Sequence, residues 1–103
     1  MYQRSGDVGL GVPFNIASAS LLTYLLADLT GKRPKELIHT IGDAHIYQNH
    51  LDAMQEQLQR QPMPFPRLRV VRRGQKGVED YQASDFVLEG YESHPKLPME
   101  MAV

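Results

Sequence analysis

The sequence predicts a fold of mixed class, helices together with strands, and three observations carry that expectation. Apolar residues at Phe14, Ala17, Leu21, Leu22, Leu25, Leu26 and Leu29 recur at intervals of three and four, the repeat of a helix. A shorter run with Leu51, Met54 and Leu58 on one face repeats the pattern after Asn49. Several short segments elsewhere alternate as strands do. With 103 residues, 42% of them hydrophobic and 22% charged, the chain has room for one modest core at most.

Taken in order, Met1 to Ser5 ends a strand and Gly6 to Val12 is a loop. Pro13 suits the first turn of the long helix, which stops at Gly31. With Ile16 and Tyr24 on its other faces, that helix is apolar nearly all round, the signature of a buried one. Lys32 to Lys35 is a turn containing Pro34. Glu36 to Tyr47 reads as a strand interrupted at Gly42-Asp43, and Asn49 is placed to cap the second helix. Gln61 to Pro66 is an extended linker, because each proline disfavours helix in the residue before it. Arg67 to Arg73 is a strand with Leu68 and Val70 on one side, and Gly74 to Gly77 is a turn. Glu79 to Asp85 is irregular or a short helix, Phe86 to Gly90 is a last strand, and the tail from Tyr91 to Val103 is irregular. This inventory offers little to cover both faces of the long helix, so the chain reads as part of a domain.

A formal charge of -1 gives no electrostatic case for a dedicated nucleic-acid or membrane-surface protein. The absence of cysteine removes disulfides, thiolate metal sites and a thiol nucleophile from these residues. No apolar run approaches the roughly 18 residues of a spanning helix, and no signal-peptide pattern opens the chain. The default address is cytoplasmic, with nucleus and mitochondrion both compatible.

The glycines at 6, 9 and 11 read G-x-x-G-x-G, the reverse of the dinucleotide fingerprint. They fit either a tight turn needing positive backbone angles or a loop whose backbone approaches a ligand closely. Beside them, Arg4 and Ser5 offer a fork of donors and a hydroxyl to an anion. Asn15 is a carboxamide at the head of an apolar helix and needs a partner. His45 and Tyr47, two apart, share one side of a strand. A zinc site would need ligand spacings that His39, His45 and His50 do not show, and no nucleophile elbow surrounds Ser5 to support a triad with His45 and Asp43. Arg67, Arg69, Arg72 and Arg73 read as a solvated basic face; the interleaved aromatics of a single-strand RNA binder are missing.

Together, "YQRSGDVGLGVPFNIAS", "IHTIGDAHIYQNH", "PFPRLRV", "DFVLEGYESHP" and "MEMAV" resemble the C-terminal portion of thymidylate synthase, in one run from Tyr2 to Val103. The resemblance implies an α+β fold, with a long buried helix and a shorter helix packed on a mixed β-sheet. It also implies one partial domain over residues 1–103, with no second domain. The implied reaction is reductive methylation of deoxyuridylate (dUMP) to thymidylate (dTMP), with 5,10-methylenetetrahydrofolate as one-carbon donor and reductant, in a homodimer that needs no metal.

By that resemblance, Arg4 and Ser5 bind the phosphate of dUMP, and Asp7 touches the base and lies against the folate. Asn15 pairs with the uracil edge, and His45 and Tyr47 bond the 3'-hydroxyl of the sugar. Leu10, Gly11 and Phe14 form the folate-facing wall, and Ala102 and Val103 fold over the bound ligands. Uracil offers a donor at N3 and an acceptor at O4, which one carboxamide complements, whereas cytosine reverses the pair. A related family that hydroxymethylates deoxycytidylate is expected to carry a carboxylate at this position. Two departures stand out. Ala19 sits where the family usually has a bulky residue, and the family's nucleophile, in a Pro-Cys-His motif, matches a region upstream of Tyr2. The 103 residues alone are therefore expected to be inactive, and a non-catalytic truncated pseudoenzyme or interaction fragment is the alternative reading.

Overall fold

The structure is a computed structural model and describes residues 1–101. Strand β1 (Tyr2–Asp7) runs into helix α1 (Val12–Leu29), which returns the chain to strand β2 (Thr40–His45). A 3-10 turn (Gln48–His50) leads directly into helix α2 (Leu51–Gln59). Strands β3 (Arg67–Val70) and β4 (Phe86–Glu89) follow, with 3-10 turns at Val78–Asp80 and Ala83–Asp85 between them.

β1 and β2 are parallel, in a register that sets Tyr2 opposite Thr40 and Asp7 opposite His45. Parallel neighbours need a crossover, and α1 supplies it. β3 and β4 are antiparallel, with Arg67 opposite Glu89 and Val70 opposite Phe86. The expected single mixed sheet is thus two separate two-stranded sheets among the described residues. Both directions of pairing occur, but in separate ladders, with α2 and the proline-rich linker between them in sequence.

α1 begins and ends within two residues of its predicted limits, with Pro13 in its first turn. Its expected burial is overturned. Ala27 is its one buried residue, while Phe14, Ile16, Leu21, Leu22 and Leu26 are exposed. A helix apolar on every side needs neighbours on every side, and among the described residues its cover includes β1, β3 and the Val78–Asp80 turn. Its 18 residues, at a mean hydropathy of 1.3, also make it long and apolar enough to cross a membrane by length and composition alone, contrary to the expectation that no run approached this. Its last full turn nevertheless carries Asp28, whose carboxylate accepts hydrogen bonds from Arg72 Nε at 2.7 Å and from the Tyr81 hydroxyl at 2.8 Å. These bonds tie α1 to the β3–β4 hairpin.

The surface as a whole agrees. The chain exposes 8331 Å², where a self-contained protein of this mass exposes about 5,900 Å². Its radius of gyration is 16.2 Å, against about 13 Å for a compact domain of this length. The fold presents faces made to be covered.

Several local expectations are also revised. Asn49 does not cap α2: His50 occupies the cap position without a side-chain bond, and the Asn49 amide reaches Glu100 instead. Gly42 and Asp43 lie inside β2 rather than interrupting it, with Asp43 paired to Ser5. β3 ends at Val70, not Arg73, because Arg73 turns inward to Asp85.

Candidate functional site

The glycine loop between β1 and α1 is shaped by Asp7. Its Oδ1 accepts from the amides of Gly9 at 3.0 Å and Leu10 at 3.4 Å, and its carbonyl accepts from Gly11 N at 2.9 Å. Val8 N donates to His45 O at 2.9 Å, which fastens the loop to the end of β2. The glycines are not there for positive backbone angles: only Gly31, Gly74 and Gly90 have positive φ among the described residues. They are there for close approach. A Cβ on Gly6 would lie 2.8 Å from Val12 Cγ2, and one on Gly9 would lie 2.7 Å from His50 Nδ1. Two such contacts pull the helix and the His50 ring onto the loop.

Asn15, in the first turn of α1, has the partner its chemistry demands. Gln3 Nε2 donates to Asn15 Oδ1 at 2.9 Å and to Ser5 O at 2.8 Å, while Gln3 Oε1 pairs with His39 Nε2 at 2.9 Å. The orientation of both amides is assigned through this network. Gln3 therefore fixes Asn15, whose NH₂ group and one oxygen lone pair remain unused among the described residues. An open hollow of about 370 Å³ lies beside it, lined by Gln3, Asn15, Ser18, Ala19 and Leu22. The small side chain of Ala19 is part of that wall.

Arg4 and Ser5 are consecutive on β1 and so face opposite sides of the strand, Ser5 half-buried and Arg4 exposed. Adjacency in sequence does not make a fork here. An anion held by both must sit at the edge of β1, which is unpaired among the described residues, with the Arg4 stem wrapped around it. The Arg4 guanidinium makes no hydrogen bond or ion pair to another described residue.

His45 ends β2 opposite Asp7, and its Nδ1 lies 3.3 Å from Asp43 O and 3.6 Å from Asp43 Oδ1. Tyr47 falls beyond the strand, yet its ring meets that of His45 edge-on at 5.3 Å and that of His50 at 5.7 Å. The pair predicted on one strand face is brought together by ring packing instead. Leu10 and Gly11 are half-buried in the loop, and Phe14 stands 72% exposed at the head of α1. Ala102 and Val103 lie outside the described residues.

Three participants escaped the sequence reading. Gln3 stood inside the opening motif without a role. His50 was weighed as a metal ligand; it is wholly buried, with Nε2 2.6 Å from the carbonyl of Glu100. Glu100 enters through its backbone, which no side-chain pattern reveals. Among the described residues, no group of three or more His, Cys, Asp or Glu side chains is arranged to hold a metal ion.

The fold gathers around the β1–α1 loop a carboxamide fixed in the first turn of α1, a guanidinium with no partner among the described residues, and a His-Tyr pair at the end of β2. Over its full length, residues 1–103, the sequence matches the family described as thymidylate synthase, and the chain belongs to that family. It is 59% identical to human thymidylate synthase, over all of this chain and 33% of the human protein. It is 50% identical to the thymidylate synthase of Saccharomyces cerevisiae, over all of this chain and 34% of that protein. Against the bifunctional dihydrofolate reductase-thymidylate synthase of Zea mays, the identity is 53% over all of this chain and 20% of that protein. The chain spans about a third of the length of the single-function relatives.

Proposed function

We propose that this chain supplies the dUMP- and folate-contacting wall of a thymidylate synthase, which converts dUMP to dTMP with 5,10-methylenetetrahydrofolate as co-substrate. The observation that carries the proposal is the fixed carboxamide of Asn15. With one lone pair of Oδ1 occupied by Gln3, its other lone pair can accept from uracil N3–H while its NH₂ donates to O4. Cytosine would oppose a lone pair to a lone pair at the same position.

Arg4 and Ser5 hold the phosphate at the β1 edge, a charge-assisted contact that suits a guanidinium otherwise unpaired. His45 and Tyr47 take the 3'-hydroxyl. Asp7 meets the base and, with Leu10, Gly11 and Phe14, faces the folate; the exposed Phe14 ring offers a flat apolar surface for a pterin or its aryl group. Ala102 and Val103 close over both ligands, excluding water from the one-carbon transfer. The complete enzyme is a homodimer at a cytoplasmic address. Its remaining residues cover α1.

The 103 residues hold no cysteine, so the thiol that attacks the pyrimidine must come from outside them. By themselves they position substrate without activating it, which leaves the isolated chain at most a binding or interaction fragment. Release of the C5 hydrogen of dUMP, followed as tritium, tests the reading. A polypeptide of full family length carrying this segment is expected to release it in the presence of the folate, and the isolated chain is not. No release by the full-length polypeptide would overturn the function, and release by the chain alone would overturn the need for an external thiol.

A further inference from the structure

The tail beyond β4 is irregular in secondary structure but held at two places. Arg60, at the end of α2, donates to Pro95 O at 2.6 Å, and His94 Nε2 lies 2.7 Å from Gln61 O. At the other end of the helix, Asn49 Nδ2 and His50 Nε2 converge on the single carbonyl of Glu100, at 3.3 and 2.6 Å. The tail therefore runs back along α2 and arrives at the loop between β1 and α1. There the Met99 sulfur lies 3.2 Å from where a Gly9 Cβ would stand.

His50 is the most deeply buried side chain in this arrangement, with none of its surface exposed. A carbonyl can only accept, so the short contact to Glu100 places a proton on Nε2. Nδ1 has no hydrogen-bond partner among the described residues; it faces Gly9 and lies 3.8 Å from Asp7 Oδ1. A wholly buried imidazole with one nitrogen unsatisfied is costly to keep. For packing alone, an apolar side chain of similar size would serve better. What the ring adds is a donor aimed at the tail, from a position in contact with the loop.

We propose that His50 is a positioning residue that latches the C-terminal segment to the Asp7–Gly11 loop through the carbonyl of Glu100, with Asn49 as the second donor. Resting on the reading that folate binds at this loop, the latch sets the gap between tail and loop that the folate enters. It acts more on folate than on dUMP: His50 packs against Tyr47 and lies 3.8 Å from Asp7, but its bonded partner is the tail, and the Arg4 and Asn15 proposed for phosphate and base touch neither.

The test uses a polypeptide of full family length carrying this segment, with three variants. His50→Leu removes the donor at similar bulk, and His50→Gln returns a donor that can reach the carbonyl. Gly9→Ala leaves the histidine in place but drives a methyl against its Nδ1, with no backbone strain because Gly9 is not at positive φ. The first readout needs no ligand: carboxypeptidase release of the C-terminal residues. His50→Leu and Gly9→Ala are each expected to speed release about tenfold, the scale of one lost hydrogen bond, with His50→Gln close to the parent. The second readout is kinetic: in the same two variants KM for the folate is expected to rise about tenfold, while dUMP affinity changes by less than the folate KM does.

Unchanged tail release in both variants overturns the latch. If His50→Leu fails to fold, Gly9→Ala decides. If the parent polypeptide neither binds dUMP nor releases its C5 hydrogen, the functional reading fails, and the release assay still decides whether the latch exists.

Discussion

The two sheets of this chain manage their polar groups in opposite ways. At the β3–β4 hairpin, Asp85 is only 2% exposed, and both its oxygens are bonded. Arg73 donates to one from Nε and to the other from Nη2, both at 2.6 Å, while Gln75 Nε2 and Gln82 N add bonds to the second oxygen at 3.2 and 2.9 Å. At the β1–β2 sheet, Arg4 has no partner among the described residues, Asn15 keeps its amide donors unused and His50 Nδ1 is unsatisfied. Buried polar groups in a merely structural region close on one another. Around the β1–α1 loop the exposed Arg4 and the half-buried Asn15 keep donors free among the described residues, which suits the ligand-binding role proposed for them.

That contrast can be broken from either side. The largest expected effect is on Arg4. Arg4→Ala in a polypeptide of full family length should weaken dUMP binding by about 100-fold, the scale of a lost charge-assisted contact, and leave the melting temperature unchanged. Calorimetric titration and a thermal scan check both halves; a lower melting temperature with unchanged affinity would make Arg4 structural.

Asp85→Asn should do the reverse, lowering the melting temperature by several degrees without touching dUMP affinity. The hydrogen bond from Arg73, the Gln82 amide and the Gln75 side chain hold the Asp85 carboxyl well below its ordinary 3.8, against the opposing effect of burial. Because the folded value is the lower one, the stabilisation is fully present above the ordinary value and is lost as pH falls below it. Thermal scans between neutral pH and the acid limit should therefore show the parent losing stability in acid and the variant losing less; parallel curves would contradict this. On the same hairpin, Asp80 is also held low, first by the amides of Lys76 and Gly77, so Asp85→Asn reduces the acid sensitivity without abolishing it.

Gln3→Ala should lower the preference for dUMP over dCMP by about three- to tenfold, by releasing the Asn15 amide from its fixed orientation. Direct binding of the two nucleotides measures it, and an unchanged ratio would mean Asn15 is held by its ligand alone. The smallest effect is expected at the exposed Arg69–Glu89 pair, 2.7 Å apart on β3 and β4. Arg69→Ala should cost about 0.2–1 kcal/mol in urea unfolding, as surface pairs do. A cost well above that range would show the hairpin surface to be less independent than its geometry implies.

The sequence made the local elements of this fold readable where a local rule governs them. Pro13 and Gly31 bracket α1, the prolines from 62 to 66 keep the linker extended, and the expected last strand, Phe86 to Gly90, matches β4 to within one residue. It failed where the deciding contact is distant. Burial of α1 depends on neighbours that periodicity does not name, so the repeat identifies an apolar helix and cannot say what covers it. The glycine loop fits either positive backbone angles or close approach to a ligand by sequence, whereas Gly6 and Gly9 answer to Val12 and His50 across space. Asn49 looked like a helix cap because the competing acceptor, the Glu100 carbonyl, lies 51 residues away. At the site, side-chain chemistry singled out Asn15, His45 and Tyr47, while Gln3 and His50 became visible only through their hydrogen bonds.

The opening loop and Asn15 are proposed to present one wall of a site for a uracil nucleotide. The most direct test is Asn15→Asp in a polypeptide of full family length, with dUMP and dCMP binding measured side by side. A protonated carboxyl or bridging water at that position complements the cytosine edge, and the lost amide donor opposes uracil O4. The dUMP-to-dCMP preference is expected to fall by about 100-fold or more, since an unpaired buried polar group is what such sites discriminate by. A preference that stays at the parent value would contradict this and take the nucleotide base away from Asn15.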